Sequence, residues 1–221
     1  MQKELPRQIN EYFYSDKVSA NEMDTLLAEG WRNFGQYFFR HSWDYLNNEE
    51  RVVIPLRIRL ADFSLSKTQR RIIRRNQDLH TVIRPIVIDD EKHALFDRHK
   101  QRFKSNIPHS IYTFLDYEAA NIPCEALEFC VYERGKLLAV SFLNFGNTST
   151  SGIYAMFEPT QAKRGLGIYT MLLEIEFSRQ MGKDFYYQGY AYIGESFYDY
   201  KKRFRALEMY DWQGNWANFR E

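Results

Sequence analysis

Lys67, Arg70, Arg71, Arg74 and Arg75 recur at offsets 0, 3, 4, 7 and 8, the spacing of one face of an α-helix. At about 100° per residue all five cations fall within an arc of about 140°, and Ile72 and Ile73 point away from it. No acidic residue stands among them. Like charges at i,i+4 cost a helix about 0.2–0.5 kcal/mol each, so the ridge needs a compensating partner. A phosphate backbone fits, because each neutralised phosphate releases counterions. A solvated face, or carboxylates elsewhere such as Asp78 or Asp89, would also serve. A second feature is the run Gln161-Ala162-Lys163-Arg164-Gly165-Leu166-Gly167, which opens another helix. Glycines there let backbone N–H groups approach an anion or an acyl carbonyl, although a structural turn would use them equally well.

The third feature is aromatic. Tyr186-Tyr187-Gln188-Gly189-Tyr190-Ala191-Tyr192 is followed by Ser196-Phe197-Tyr198-Asp199-Tyr200-Lys201-Lys202-Arg203-Phe204. A tyrosine-rich strand beside a cationic segment can stack bases and contact phosphates; the alternative is an aromatic core with solvated lysines and arginines. Metal and covalent chemistry find little support. Cys124 and Cys130 are spaced as C-x5-C, which matches no common zinc site, and His93 and His99 are not at the i,i+4 metal spacing. No serine or cysteine sits in a nucleophile elbow. The expected cofactor and metal content is therefore none.

These side chains must be held by elements that the pattern also predicts. Asn21–Glu29 reads as a helix ended by Gly30, and Trp31–Arg40 and Arg51–Leu60 as β-rich runs separated by a polar loop over His41–Glu50. In Arg51–Leu60 apolar residues alternate strictly, which predicts a half-buried strand. Ser66 with Gln69 forms a capping-box start for the cationic helix, which runs to about Asn76. A β run (Val82–Ile88) and a charged helix (Glu91 to about Lys104) follow. Ala126–Glu133, a turn at Arg134-Gly135, and Lys136–Phe145 predict a hairpin, with Ile153–Phe157 as a third strand. Lys163–Met181 is a glycine-led helix and Phe185–Tyr192 a closing strand.

The 221 residues carry 30 Lys+Arg against 29 Asp+Glu, with 44% hydrophobic and 17% aromatic residues. That balance argues against a uniformly basic coat protein or an acidic tail and predicts a chain with an ample core. Only two cysteines point to a reduced compartment. Met1–Asn21 lacks a long apolar core, and no apolar run approaches the ~18 residues of a membrane helix. A soluble cytoplasmic protein is expected; oligomeric state leaves no signature.

The order meander, Gly-x-Gly turn, helix, strand resembles the acetyltransferase-like (GNAT) α/β fold, a mixed sheet flanked by helices. A smaller N-terminal lobe (residues 1–62) would precede a transferase domain (63–221). In acetyltransferases that turn cradles the pyrophosphate of coenzyme A and usually carries Arg or Gln where this chain has Ala162. More specifically, the chain resembles the aminoacyl-tRNA protein transferases, the arginyltransferases and their bacterial leucyltransferase relatives. The likeness rests on Leu27-Ala28-Glu29-Gly30-Trp31-Arg32, Phe38-Phe39-Arg40, Pro55-Leu56-Arg57 and Ala61-Asp62-Phe63-Ser64-Leu65-Ser66-Lys67-Thr68-Gln69-Arg70-Arg71. It continues in Gly165-Leu166-Gly167-Ile168-Tyr169, Tyr187-Gln188-Gly189-Tyr190 and Tyr198-Asp199-Tyr200-Lys201-Lys202-Arg203-Phe204. The family generally carries a cysteine cluster linked to a metal or iron–sulfur site, but here no cysteine precedes Cys124, and His41-Ser42-Trp43-Asp44-Tyr45-Leu46 stands in the expected place.

The resemblance implies transfer of arginine or leucine from a charged tRNA to the α-amine of a protein or peptide N-terminus, typically Asp or Glu, which marks the acceptor for degradation. It implies tRNA phosphates on Lys67, Arg70, Arg71, Arg74 and Arg75, with Lys201 and Arg203 near the acceptor end. Gly165, Leu166 and Gly167 would contact the donor ester or terminal adenosine, and Gln188, Tyr190, Asp199 and Tyr200 would position donor and amine. A coenzyme A-dependent N-acetyltransferase and a non-catalytic tRNA-binding relative are the alternatives.

Overall fold

The computed structural model describes residues 8–46 and 49–219, with the Leu46 side chain left aside. Residues 1–7 of the expected N-terminal lobe, Asn47 and Asn48 of the expected loop, and the last two residues lie outside the described residues. The strands are β1 (Asn10–Tyr14), β2 (Arg32–Phe34), β3 (Tyr37–His41), β4 (Trp43–Leu46), β5 (Glu49–Arg59), β6 (His80–Pro85), β7 (Ala126–Glu133), β8 (Lys136–Phe145), β9 (Ser149–Phe157), β10 (Phe185–Tyr192), β11 (Leu207–Tyr210) and β12 (Trp216–Asn218). The helices are α1 (Ala20–Ala28), α2 (Lys67–Arg75), α3 (Asp90–Lys100) and α4 (Leu166–Gln180).

The main sheet runs β12-β11-β5-β10-β9-β8-β7-β6, with β4 paired to β5. Every pairing is antiparallel except β9 with β10. A separate small sheet, β1-β3-β2, comes from the N-terminal segment. Alternation along β7 divides the core in two: Phe129 and Val131 face the cluster formed with α2 and α4, while Cys130 faces the cluster formed with α3. All three are buried. α2 starts at the predicted capping box, with Ser66 Oγ accepting from the Gln69 N–H and Gln69 Oε1 from the Ser66 N–H. α1 uses the same device, from Ser19 and Glu22.

Three expectations need correction. The polar loop over His41–Glu50 is largely strand, because Trp43–Leu46 pairs with Glu49–Val52. Arg51–Leu60 keeps its half-buried alternation at Arg57–Leu60 but loses it at Val53–Leu56, which are all buried, because Val53 on the second face packs against Tyr210 and Trp212. The helix expected from Lys163 is a 3₁₀ segment (Pro159–Arg164) that breaks at Gly165, where φ is +69° and α4 begins. β5 belongs to the common sheet, and its Ile54, Leu56 and Ile58 pack in the same core cluster as α2 and α4. Among the described residues no helix is long and apolar enough to cross a membrane.

The second core holds a buried ion cluster. Glu128 is fully buried and takes Arg84 Nε at 2.7 Å and Lys92 Nζ at 3.2 Å; Lys92, also fully buried, lies 2.9 Å from Asp89. Removing one member of such a cluster leaves the opposite charge buried without its counter-ion. Glu128→Leu is therefore expected to lower the unfolding free energy by about 3 kcal/mol, read as a fall in the urea midpoint.

Candidate functional site

β9 and β10 pair only from Ser149–Ser151 to Phe185–Tyr187. On its other edge β10 is irregular between Tyr187 and Gly189. From Gly152 and Gln188 onward the two strands part, and a notch opens in the middle of the sheet. Arg32 of β2 fills its floor. The side chain is buried, with Nη1 donating to Ser151 Oγ at 2.5 Å and Nη2 to the Gly152 carbonyl at 2.6 Å. Burial holds its pKa below the ordinary arginine value, against the pull of Tyr190, Tyr186 and Glu174. Behind it, the Tyr186 hydroxyl donates to Glu174, whose pKa is pushed up to about 7 by burial. Gly152 makes room for this pair, since a Cβ there would sit 2.7 Å from Tyr186 Oη and 3.1 Å from Glu174 Oε2.

A 3₁₀ turn (Asp199–Arg203) delivers a second cation. Lys201 Nζ donates to the Tyr190 carbonyl at 3.0 Å and lies 5.0 Å from the centroid of the Tyr198 ring. Burial, with the Arg32 guanidinium adding to it, pushes its pKa down to about 7. Gly189, at φ +87°, is the meeting point: a Cβ there would lie 3.2 Å from Lys201 Nζ and 3.3 Å from Arg32 Cζ. Gln188 Nε2 donates to the Lys201 carbonyl at 2.8 Å, while Gln188 Oε1 is buried with no partner. The Tyr190 hydroxyl donates to the Gly30 carbonyl at 2.7 Å and so ties β10 to the N-terminal segment.

Gln188, Tyr190 and Lys201 therefore converge as a group. Asp199 and Tyr200 do not join them as reacting groups. The Asp199 carboxylate accepts from Ser196 N and Oγ at 3.0 Å and pairs with Lys202 at 2.8 Å, which holds its pKa down to about 2. Tyr200 packs against the main core, and burial pushes its pKa up to about 12. Lys201, expected to be near the tRNA acceptor end, lies on the notch floor; Arg203 is exposed. Arg32 closes one of the runs that carry the family resemblance but was given no role, and Glu174 was not singled out; only the tertiary fold brings them together.

The cationic face of α2 is exposed along its length. Among the described residues none of its five cations is in an ion pair, although Arg70 donates to the Leu65 carbonyl at 2.6 Å and Arg75 to the Lys163 carbonyl. The carboxylates suggested as partners are engaged elsewhere, Asp78 with Arg164 at 2.8 Å and Asp89 with Lys92. α2 rests on the start of α4, where Ile72 lies 3.5 Å from the Cβ position of Gly165 and Asn76 Nδ2 donates to the Arg164 carbonyl at 3.0 Å. Stripe and Gly-x-Gly turn thus form one surface. α4 has no side-chain cap among the described residues; of its first turn, Leu166 is fully buried and the Ile168 N–H donates to the Gly165 carbonyl at 3.1 Å, which leaves the Gly167 N–H for an anion. Leu166, expected at the donor ester, is fully buried in the main core and does not reach that surface. Gly167 fits under Phe157, 3.1 Å from its Cβ position. Since Gly152 and Phe157 lie five residues apart on β9, the turn is roughly 15 Å from the notch floor.

A cysteine-bound metal cluster does not fit these residues. The only two cysteines, Cys124 and Cys130, are buried in different apolar clusters. His41 stacks on Phe39 and meets Tyr190 edge to face. Among the described residues no three His, Cys, Asp or Glu side chains converge as metal ligands would.

An antiparallel meander, an uncapped glycine turn, a helix, and a last strand that pairs in parallel and then diverges define the acetyltransferase-like (GNAT) fold. Two solved structures share it at low identity. The C-terminal domain of a putative lysylphosphatidylglycerol synthetase from Agrobacterium fabrum superposes with TM-score 0.52 at 15% identity, over 84% of this chain and 56% of that one. FemX superposes with TM-score 0.52 at 12% identity, over 91% and 70%. The family model for the arginine-tRNA-protein transferase C terminus matches residues 91–211. Curated relatives named aspartate/glutamate leucyltransferase include one from Chromohalobacter salexigens, 31% identical over 85% of this chain and 76% of its own length. Another, from Stenotrophomonas maltophilia, is 29% identical over 94% and 88%. The chain belongs to the arginine-tRNA-protein transferase family. It is an aminoacyltransferase that draws on aminoacyl-tRNA.

Proposed function

We propose that this chain moves leucine from leucyl-tRNA to the α-amine of a protein or peptide that begins with Asp or Glu. The reading rests on one observation above the others: a buried cationic notch at one end of β9 and an open phosphate-binding surface at the other. A single charged tRNA 3′ end can engage both. The ester is already activated, and an α-amine has a pKa near ~8. The enzyme need only align the partners, provide donors to the developing oxyanion and let one proton leave. The tRNA phosphates lie on α2, beside the start of α4, and exposed Arg203 is a further cation for the acceptor end. Gln188 Oε1 is an acceptor for an incoming ammonium or hydroxyl. Tyr190 fixes the notch wall, and Asp199 holds the turn that delivers Lys201.

Leucine is favoured over arginine as donor by the names of the relatives and by electrostatics. An arginyl side chain needs a carboxylate; Glu174 is buried on Tyr186 and Asp199 is paired with Lys202, which leaves exposed Glu195 as the candidate that Glu195→Gln would test. Charged tRNA is made in the cytoplasm, and the reading places the reaction there. The test is incubation of the pure protein with labelled leucyl- and arginyl-tRNA and peptides beginning with Asp, Glu, Asn or Ala. Label from leucyl-tRNA is expected to become ribonuclease-resistant on the Asp and Glu peptides. Transfer of arginine only would overturn the donor, and transfer to none the activity.

A further inference from the structure

We propose that Arg32 and Lys201 together form the pocket for the side-chain carboxylate of the acceptor's first residue. The assignment rests on the transfer reading above and names the groups that would select an acidic acceptor. Two cations meet over the Gly189 backbone, and among the described residues neither has a carboxylate as hydrogen-bond partner. Arg32 donates two of its five N–H groups, to a hydroxyl and a carbonyl, and Lys201 donates one of three, to a carbonyl. The remaining donors suit a small anion, which Arg and Lys can hold by charge-assisted hydrogen bonds. Glu174, the carboxylate behind Arg32, is itself buried and bonded to Tyr186. An amide in place of the acceptor carboxylate could accept the same bonds but would leave both charges uncompensated in a buried site.

The groups around Lys201 are Arg32 from β2, the Tyr190 carbonyl from β10, and the Tyr198 ring from the loop before its own turn; Tyr186 and Glu174 lie behind Arg32. In the empty pocket its pKa is pushed down to about 7. A bound carboxylate favours the ammonium, so binding an acidic residue takes up a proton above that pH. The ammonium is present below about 7 and is lost as pH rises through it. Preference for an acidic acceptor is therefore full at low pH and falls at high pH. A lysine acting instead as proton acceptor would be active only when neutral, which gives the opposite trend.

The experiment compares two peptides, identical except for an N-terminal Asp or Asn, as acceptors from leucyl-tRNA between pH 6 and 8.5. The ratio of their kcat/KM values cancels most of the titration of the α-amine. In the native protein the Asp/Asn ratio is expected to fall about tenfold across this range. In Lys201→Met the ratio is expected to be at least about tenfold lower at pH 6 and flat. In Lys201→Arg it is expected to stay high and flat, because arginine remains charged. A pH-independent ratio in the native protein that persists in Lys201→Met would overturn the proposal. So would rates for both peptides that rise together through pH 7 and lose that rise in Lys201→Met. Equilibrium binding of the same peptides reads the pocket without turnover. If no amino acid is transferred yet the Asp peptide binds preferentially and Lys201→Met abolishes that preference, the pocket stands and the transfer reading fails. Equal binding of both peptides by the native protein overturns the pocket alone.

Discussion

Replacing Arg70, Arg71, Arg74 and Arg75 together by Ala is expected to weaken tRNA binding by about 100-fold or more at ~0.15 M salt. The fold should survive the change. All four side chains are exposed, and among the described residues none is in an ion pair. Relieving their mutual repulsion and adding alanine both favour the helix, while Gln69, Ile72 and Ile73 still anchor it. The loss is electrostatic and so carries its own signature. Each neutralised phosphate contributes roughly 0.7–0.9 to the slope of log K against log salt, so removing four contacts flattens that slope by about three. Filter binding across a salt series reads both quantities. Affinity and slope equal to those of the native protein would remove α2 from the donor surface.

Gly189→Ala carries the second large effect, on turnover instead of tRNA binding. Its φ of +87° is a conformation that side chains rarely adopt, and forcing an L-residue there costs about 1–2 kcal/mol. The added methyl would also lie 3.2 Å from Lys201 Nζ and 3.3 Å from Arg32 Cζ. Both neighbours must give way. Arg32 is held by Ser151 and Gly152 and has little freedom, so Lys201 moves and the notch loses its geometry. Misplacing a positioning group by about 1 Å can cost about 100-fold in rate. We expect kcat/KM to fall by about that factor, with tRNA affinity within about twofold of the native protein and a modest fall in Tm. Native turnover with a normal Tm would show that the two cations need not meet there.

Features that depend on local periodicity were legible in the sequence. The capping box at Ser66, the five-cation arc and the hairpin around Arg134-Gly135 are each set by residues within a few positions of one another. A closing strand after the glycine-led helix followed from the order of elements; its parallel pairing with β9 over only three residues did not. Burial that depends on distant partners was not legible. β5 reads as an alternating strand, and nothing within Arg51–Leu60 signals that β10 and β11 flank it. At the candidate site, Gln188 and Tyr190, named on the family resemblance, lie with Lys201, but Asp199 from the same stretch is spent on bracing its turn. Arg32, quoted only as part of a family-like run, had no role assigned because its meaning comes from Ser151 and Gly152, more than a hundred residues away.

The place of β5 in the sheet also bears on how the protein is made. Its partner β10 lies about 130 residues further along the chain, so the central pairing has a very high contact order and closes late. A nascent chain that has emerged only as far as α3 carries Val53 to Leu56 with no strand to cover them. During synthesis that stretch is the segment most exposed to aggregation and to chaperone capture.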